Sequence, residues 1–173
     1  MKRIVAIVLS LVVAASAWAD EGGLPGEPRG TLVIIGGSER FRDRELWDAI
    51  VELAGGEGAK IAIIPTAGGR QVGRLCEQVV QAFSRGGAGA RVVPVAWNET
   101  DRVVHDAVFD PDLVDMIRGS TGVYFVGGAQ GRIVDALRHG DGQETPMLAA
   151  IREVYSAGGV IAGTSAGAAI MGH

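Results

Sequence analysis

Gly163, Thr164, Ser165, Ala166 and Gly167 form a G-x-S-x-G run. Such a run is the sequence form of a nucleophile elbow, in which a strand turns sharply into a helix and leaves a serine Oγ exposed at the tip. The flanks suit that geometry. Val160, Ile161 and Ala162 precede the turn as a β-type run, and Ala168, Ala169, Ile170 and Met171 follow as helix-compatible residues. Glycines belong in such a turn because a residue without Cβ takes backbone angles closed to others and lets a second segment come close. The chemistry on offer is acyl transfer, with the serine hydroxyl attacking a carbonyl carbon. The plainer alternative is a small-residue turn that joins a buried strand to a helix.

A nucleophilic serine needs a general base, usually a histidine oriented by a carboxylate. His105 and His139 lie in polar segments and read as surface residues. His173 follows Ser165 by eight residues. In a continuous helix it would stand roughly 12 Å away, beyond hydrogen-bond reach, and it is not assigned as the base. Cys76 is the one cysteine, so no intramolecular disulfide can form, and it falls among Val72, Leu75, Val79 and Val80 at helical spacing. It reads as a buried thiol rather than a nucleophile. No H-E-x-x-H or C-x-x-C spacing is present, and neither G-x-G-x-x-G nor G-x-x-x-x-G-K-[ST] occurs, so neither a metal nor a cofactor is expected.

The elements that would position the serine alternate along the chain. Thr31–Ile35 is a β-branched run ending in Gly36 and Gly37, followed by Leu46, Ile50 and Leu53 at helical spacing. Lys60–Pro65 leads through Thr66–Gly69 into a helix carrying Val72, Leu75, Val79 and Phe83. Arg91–Ala96 reads as a third strand whose Pro94 belongs at an edge or bulge. Asp110–Arg118 with its early Pro111 reads as a helix, Gly122–Val126 as a strand, Pro146–Ala157 as a helix, and Gly159–Ala162 as the strand leading into the elbow. Short apolar strands alternating with amphipathic helices predict an α/β domain with a mainly parallel sheet flanked by helices on both faces. Sites in such folds lie at the carboxyl ends of strands. Four of those ends carry small residues: Gly36 and Gly37, Thr66–Gly69, Gly127 and Gly128, and Gly163 with Ser165. One shared concave site accounts for all four.

The 173 residues suit a single domain. Residues 1–19 read as a secretory signal: Lys2 and Arg3 form the positive start, Ile4 to Ala15 the apolar stretch, and Ala17, Trp18, Ala19 the cleavage site. Residues 20–29 are polar, rich in glycine and proline, and read as a flexible arm, with the domain occupying residues 30–173. The expected localisation is secreted or periplasmic, with no membrane association after cleavage. Losing the signal removes two of the 16 basic residues and none of the 20 acidic ones, taking the formal charge from −4 to −6. That sign argues against a nucleic-acid partner.

The series Ile34–Glu39 (IIGGSE), Ile63–Gly68 (IIPTAG), Phe125–Gln130 (FVGGAQ) and Gly163–Met171 (GTSAGAAIM), in this order, resembles the cyanophycinase branch of peptidase family S51. The resemblance covers nearly all of residues 30–173. It implies a fold like that of class I glutamine amidotransferases and a serine peptidase acting on cyanophycin, a poly-aspartate with arginine on its side chains, or on a related aspartyl peptide. By the same resemblance Ser165 is the acyl-forming nucleophile and the backbone amides of Gly128 and Ala166 form the oxyanion hole. Gln130 and Gly127 lie near substrate, and pairing into a homodimer is implied. Glu39 is a candidate partner for an arginine-bearing substrate. The plainer readings are a loop amide for Gln130 and a solvated acid for Glu39. Gly68 departs from the family, which often carries Ser after the Thr-Ala pair. The family's histidine lies some tens of residues after the serine, as do further strands and helices. The chain is therefore expected to be the N-terminal portion of a longer peptidase, inactive or nearly so alone, with an exposed apolar flank. From a different class, the alternative is a non-catalytic exported binding module that has lost its triad.

Overall fold

The computed structural model describes residues 29–37, 41–69, 72–96, 101–138, 140 and 142–172. The segments read as signal and arm, apart from Arg29, lie outside them, as do Glu39, His139 and His173. The described elements run in chain order as β1 (Thr31–Ile35), α1 (Arg44–Leu53), β2 (Lys60–Ile64), α2 (Val72–Arg85), β3 (Gly89–Val92), α3 (Asp101–Ala107) and α4 (Pro111–Arg118). They continue as β4 (Gly122–Phe125), α5 (Gln130–Leu137), α6 (Pro146–Ser156), β5 (Val160–Thr164), α7 (Ala166–Ala169) and a 3₁₀ turn over Ile170–Gly172. The strands form one wholly parallel sheet in the order β1-β5-β4-β2-β3.

Local chemistry sets the element ends. Asp43 caps α1 by accepting from the Leu46 amide, and Asp110 caps α4 by accepting from the Asp112 amide at 2.9 Å, with Pro111 in the first turn. Thr145 caps α6, and its buried hydroxyl also donates to the Leu137 carbonyl at 2.9 Å, tying the end of α5 to the start of α6. The third strand differs from the sequence expectation. It begins at Gly89, and the ladder's last donor is the Val93 amide to the Ile63 carbonyl at 2.9 Å. Pro94, with no N–H to donate, stands beyond that point rather than within β3, which is an edge strand of the sheet. Sequence reading passed over α3 and α5. Both are short, and α5 starts directly out of a glycine turn with no capping side chain, unlike the equally short α4, which Asp110 and Pro111 announce.

Side chains alternate across the sheet with period two. From β4 and the residue after it, Tyr124 and Val126 join α1 and α2, while Val123 and Phe125 face α3 to α7. Trp47 of α1, Phe83 of α2 and Tyr124 meet as an aromatic triad, with centroid separations of 5.0 to 5.5 Å and edge-on or tilted rings. β4 and β5 are buried along their whole length, as expected of central parallel strands covered on both faces. β1 is different. It lies at the sheet edge, its Val33 and Ile35 pack beneath α1 and α2, and on the opposite face Leu32 and Ile34 are 41% and 67% exposed. Among the described residues no helix is long and apolar enough to cross a membrane.

Cys76 lies on the buried stripe of α2 with Val72, Val79, Ala82 and Phe83, and burial pushes its thiol from the ordinary 9.0 up to about 11. The folded state thus holds the proton more tightly than the unfolded chain. Stability is expected to be flat with respect to this group below about pH 9 and to fall as pH rises from about 9 toward about 11, by at most about 1.4 kcal/mol per pH unit. Urea midpoints at pH 8 and pH 10 check this. Cys76→Ala should remove that part of the slope.

Candidate active site

Ser165 follows the last residue of β5 and precedes the first of α7, with no loop between them. To make that turn it adopts φ 51° and ψ −113°, and it is the only non-glycine residue at positive φ among those described. A conformation of this kind costs on the order of 1–3 kcal/mol and persists only where its surroundings hold it. Here they do so on both sides. The Ser165 amide donates to the Ile35 carbonyl of β1 at 3.1 Å, and its own carbonyl accepts from the Ala168 and Ala169 amides at 3.0 and 2.9 Å. The side chain is left exposed. This is the elbow expected from the G-x-S-x-G run.

The glycines on either side are required by packing. A Cβ on Gly163 would stand 2.6 Å from the Gly167 carbonyl group, and one on Gly167 would collide with the Phe125 carbonyl of β4. The start of α7 therefore lies directly on the two central strands.

Beside it runs the turn after β4. A methyl at Gly127 would come within 3.3 Å of Ser165 Cβ, so the turn abuts the serine. Gly128 has φ +148°, and a Cβ there would run into the Ala67 carbonyl. Ala67 in turn accepts from the Ala129 amide at 2.9 Å, fastening the exit of β2 to the exit of β4. Ala166 is the first residue of α7, so its N–H has no acceptor within the helix. Among the described residues the Gly128 amide donates to no backbone carbonyl. Ser165, Ala166, Gly127 and Gly128 are thus brought together. Gln130 is not a loop residue. It opens α5, exposed, two residues beyond Gly128.

Residues 32–173 match the sequence model of Peptidase family S51. The chain belongs to peptidase family S51. Its relatives include a cyanophycinase of Geminocystis herdmanii, 34% identical over 84% of this chain and 50% of that protein. A cyanophycinase of Synechococcus elongatus is 32% identical over 84% of this chain and 42% of that protein. A solved peptidase from an acI-B1 actinobacterium aligns with a TM-score of 0.63 at 26% identity, over 82% of this chain and 56% of that one. The chain spans about half the length of the curated relatives it matches.

Within this S51 chain two further groups shape the site: Thr66, marked in the sequence only as part of the small-residue run after β2, and Arg132, which the sequence does not mark. Thr66, fully buried, donates its hydroxyl to the Val95 carbonyl at 2.8 Å, anchoring the root of the loop after β2 to the exit of β3. Arg132 of α5 donates from Nη1 to the Gly68 carbonyl at 3.0 Å and to the Ala67 carbonyl at 3.4 Å. Neither role is written in the local pattern, since each side chain acts on a carbonyl distant in sequence. His105 is exposed near the end of α3, as expected of a surface histidine. Two clefts of about 680 Å³ lie away from the serine. One is at the amino ends of β2 and β3, and the other lies between α2 and the exit of β3.

The packing at Gly167 gives a direct test. Gly167→Ala is expected to destabilise the fold by about 1–3 kcal/mol or more, because the methyl group meets backbone that cannot yield. Gly36→Ala, where a Cβ meets nothing within 4 Å, should shift stability by less than about 0.5 kcal/mol. Thermal unfolding of the two variants against the parent measures the difference.

Proposed function

We propose that this protein is a serine-type peptidase of cyanophycinase type, acting on cyanophycin or a related aspartyl peptide. The observation that carries the reading is Ser165, exposed at positive φ at the end of a central strand and abutted by the Gly127–Gly128 turn. In this reading Ser165 Oγ attacks the scissile carbonyl carbon while its proton passes to a general base. The resulting oxyanion lies between the Gly128 and Ala166 amides. Collapse of the tetrahedral intermediate breaks the C–N bond, and the leaving amine departs with the proton from the base. Water then hydrolyses the ester on Ser165 and frees the acid. Preorganised amide donors of this kind are worth roughly 3–4 kcal/mol each, because they face the charge only as it develops.

The substrate class rests on the cyanophycinases among the relatives and on the G-G-x-Q turn, in which Gln130 opens α5 two residues after Gly128. Glu39 is the proposed acidic contact for substrate arginine. No described residue is assigned as the base, so the 173 residues alone are expected to turn over slowly. The residual rate from oxyanion donors and binding is on the order of 10³–10⁴ over water.

Incubation with a β-aspartyl-arginine polymer, followed by chromatography of released dipeptides, tests the reading. Ser165→Ala is expected to remove hydrolysis and labelling by a fluorophosphonate together. Hydrolysis that survives Ser165→Ala would end the serine-peptidase proposal. Export is proposed from residues 1–19, and sequencing of the mature protein from a bacterial host is expected to begin at Asp20. A cytoplasmic protein that retains Lys2 and Arg3 would overturn it.

A further inference from the structure

We infer that Arg132 is a positioning residue that fixes the direction of the Gly128 amide, an inference that rests on the peptidase reading above. Glycine has the freest backbone of any residue, so the N–H of a glycine aims reliably only if something outside it sets its φ. At Gly128 the outside constraint is the Ala67 carbonyl. It presses on the Gly128 Cα so closely that no Cβ fits, and it accepts the Ala129 N–H at 2.9 Å. Those two contacts lock the peptide that follows Gly128 against a fixed surface. With φ held at +148°, the direction of the Gly128 N–H on the preceding peptide is set as well.

The Ala67 carbonyl must itself be held. Its loop runs Thr66, Ala67, Gly68, Gly69, and two adjacent glycines make a weak support. The root is tied by Thr66 to Val95 and by the Gly68 amide to the Pro65 carbonyl at 2.9 Å. The tip is tied by Arg132. Its guanidinium donates to both Ala67 and Gly68 and lies close enough to Gly69 that a methyl there would be 3.8 Å from Nη1. A carbonyl oxygen has two lone pairs, and the Ala129 N–H and Arg132 Nη1 both donate to that of Ala67. Hydrogen bonds from a charged donor are roughly twice as strong as neutral ones, which suits a group that must hold an otherwise loose loop. Arg132 is the third residue of α5, so the helix that begins just after the glycine turn also clamps the loop beneath it.

The test joins a structural readout to a kinetic one, both on the full chain. Site-resolved amide hydrogen exchange is compared for the parent, Arg132→Ala and Arg132→Lys. The kinetic readout is acylation and turnover of an activated aspartyl ester, which reports the oxyanion donors even where general-base assistance is weak. Arg132→Ala is expected to speed exchange at Ala129 by about tenfold or more while the β2 and β4 amides keep their protection. It should lower kcat by roughly 10- to 100-fold, less than outright removal of an oxyanion donor, with KM within about twofold. Arg132→Lys retains one charged donor and should recover part of both effects. Unchanged exchange at Ala129, a loss carried by KM alone, or a lysine variant no better than alanine would each overturn the inference. Ester turnover that ignores Ser165→Ala brings down the peptidase reading, and the catalytic part of this inference with it. The exchange data then judge separately whether Arg132 holds the turn.

Discussion

The site depends on one close approach, that of the first turn of α7 to the backbones of β5 and β4. Gly167 lies where any side chain would strike the Phe125 carbonyl, and Gly163 where it would strike Gly167. Since β4 and β5 pair with Phe125 opposite Gly163, the three positions form a single contact, with a helix seated on two neighbouring strands. That seat leaves no room for a connecting loop. The chain must reverse within one residue, and that residue is Ser165 at φ 51°. The strain at the serine and the glycines at 163 and 167 are therefore two consequences of the same packing. They are sustained by strands that are buried along their length and hydrogen-bonded on both sides.

A parallel sheet collects its carboxyl ends along one edge, and here the ends are also fastened to one another. Thr66 joins the exits of β2 and β3, the Ala67 carbonyl joins β2 to the turn after β4, and the Thr164 hydroxyl donates to the Gly36 carbonyl beyond β1 at 3.3 Å. The fastening groups are hydroxyls and an amide acting on carbonyls, joined by the Arg132 guanidinium on the carbonyls of Ala67 and Gly68. Charge pairing is found elsewhere. Arg118 of α4 bonds Glu153 of α6 at 2.7 Å on the surface, where the pair raises the guanidinium and lowers the carboxyl relative to their ordinary values.

What was legible in the sequence follows from how local each signal is. The elbow was legible because its requirements fall within five consecutive residues, and the sheet because four strands are continuous apolar runs bounded by small residues. β3 was read two residues late because Val92, Val93 and Val95 draw attention to a segment whose ladder ends before Pro94. Helix α5 lacks a start signal, since Ala129 offers no capping side chain, whereas the equally short α4 is announced by Asp110 and Pro111. The supports of the glycine turn were illegible for a deeper reason. Arg132 and Ala67 are 65 residues apart, and nothing in either local sequence says that an arginine will meet a carbonyl.

The contrast between the two nucleophile-type side chains shows how position decides chemistry. Cys76 has the more reactive atom, yet it lies in the interior of α2 on its buried stripe, where burial pushes the thiol up to about 11 and disfavours the thiolate further. Ser165 has the weaker group but the better address, at the tip of a strand, exposed, with helix-start amides beside it. Its support is uneven, however. On one flank stand β4 and its buried neighbours. On the other the Ser165 amide hangs on Ile35, in an edge strand whose Leu32 and Ile34 remain open to solvent. Fraying of β1 would release the hydrogen bond from the Ser165 amide to Ile35 together with the packing of Val33 and Ile35 beneath α1 and α2. The geometry of the elbow thus draws on an edge strand as well as on the interior ones, because the hydrogen bond from the Ser165 amide crosses to β1.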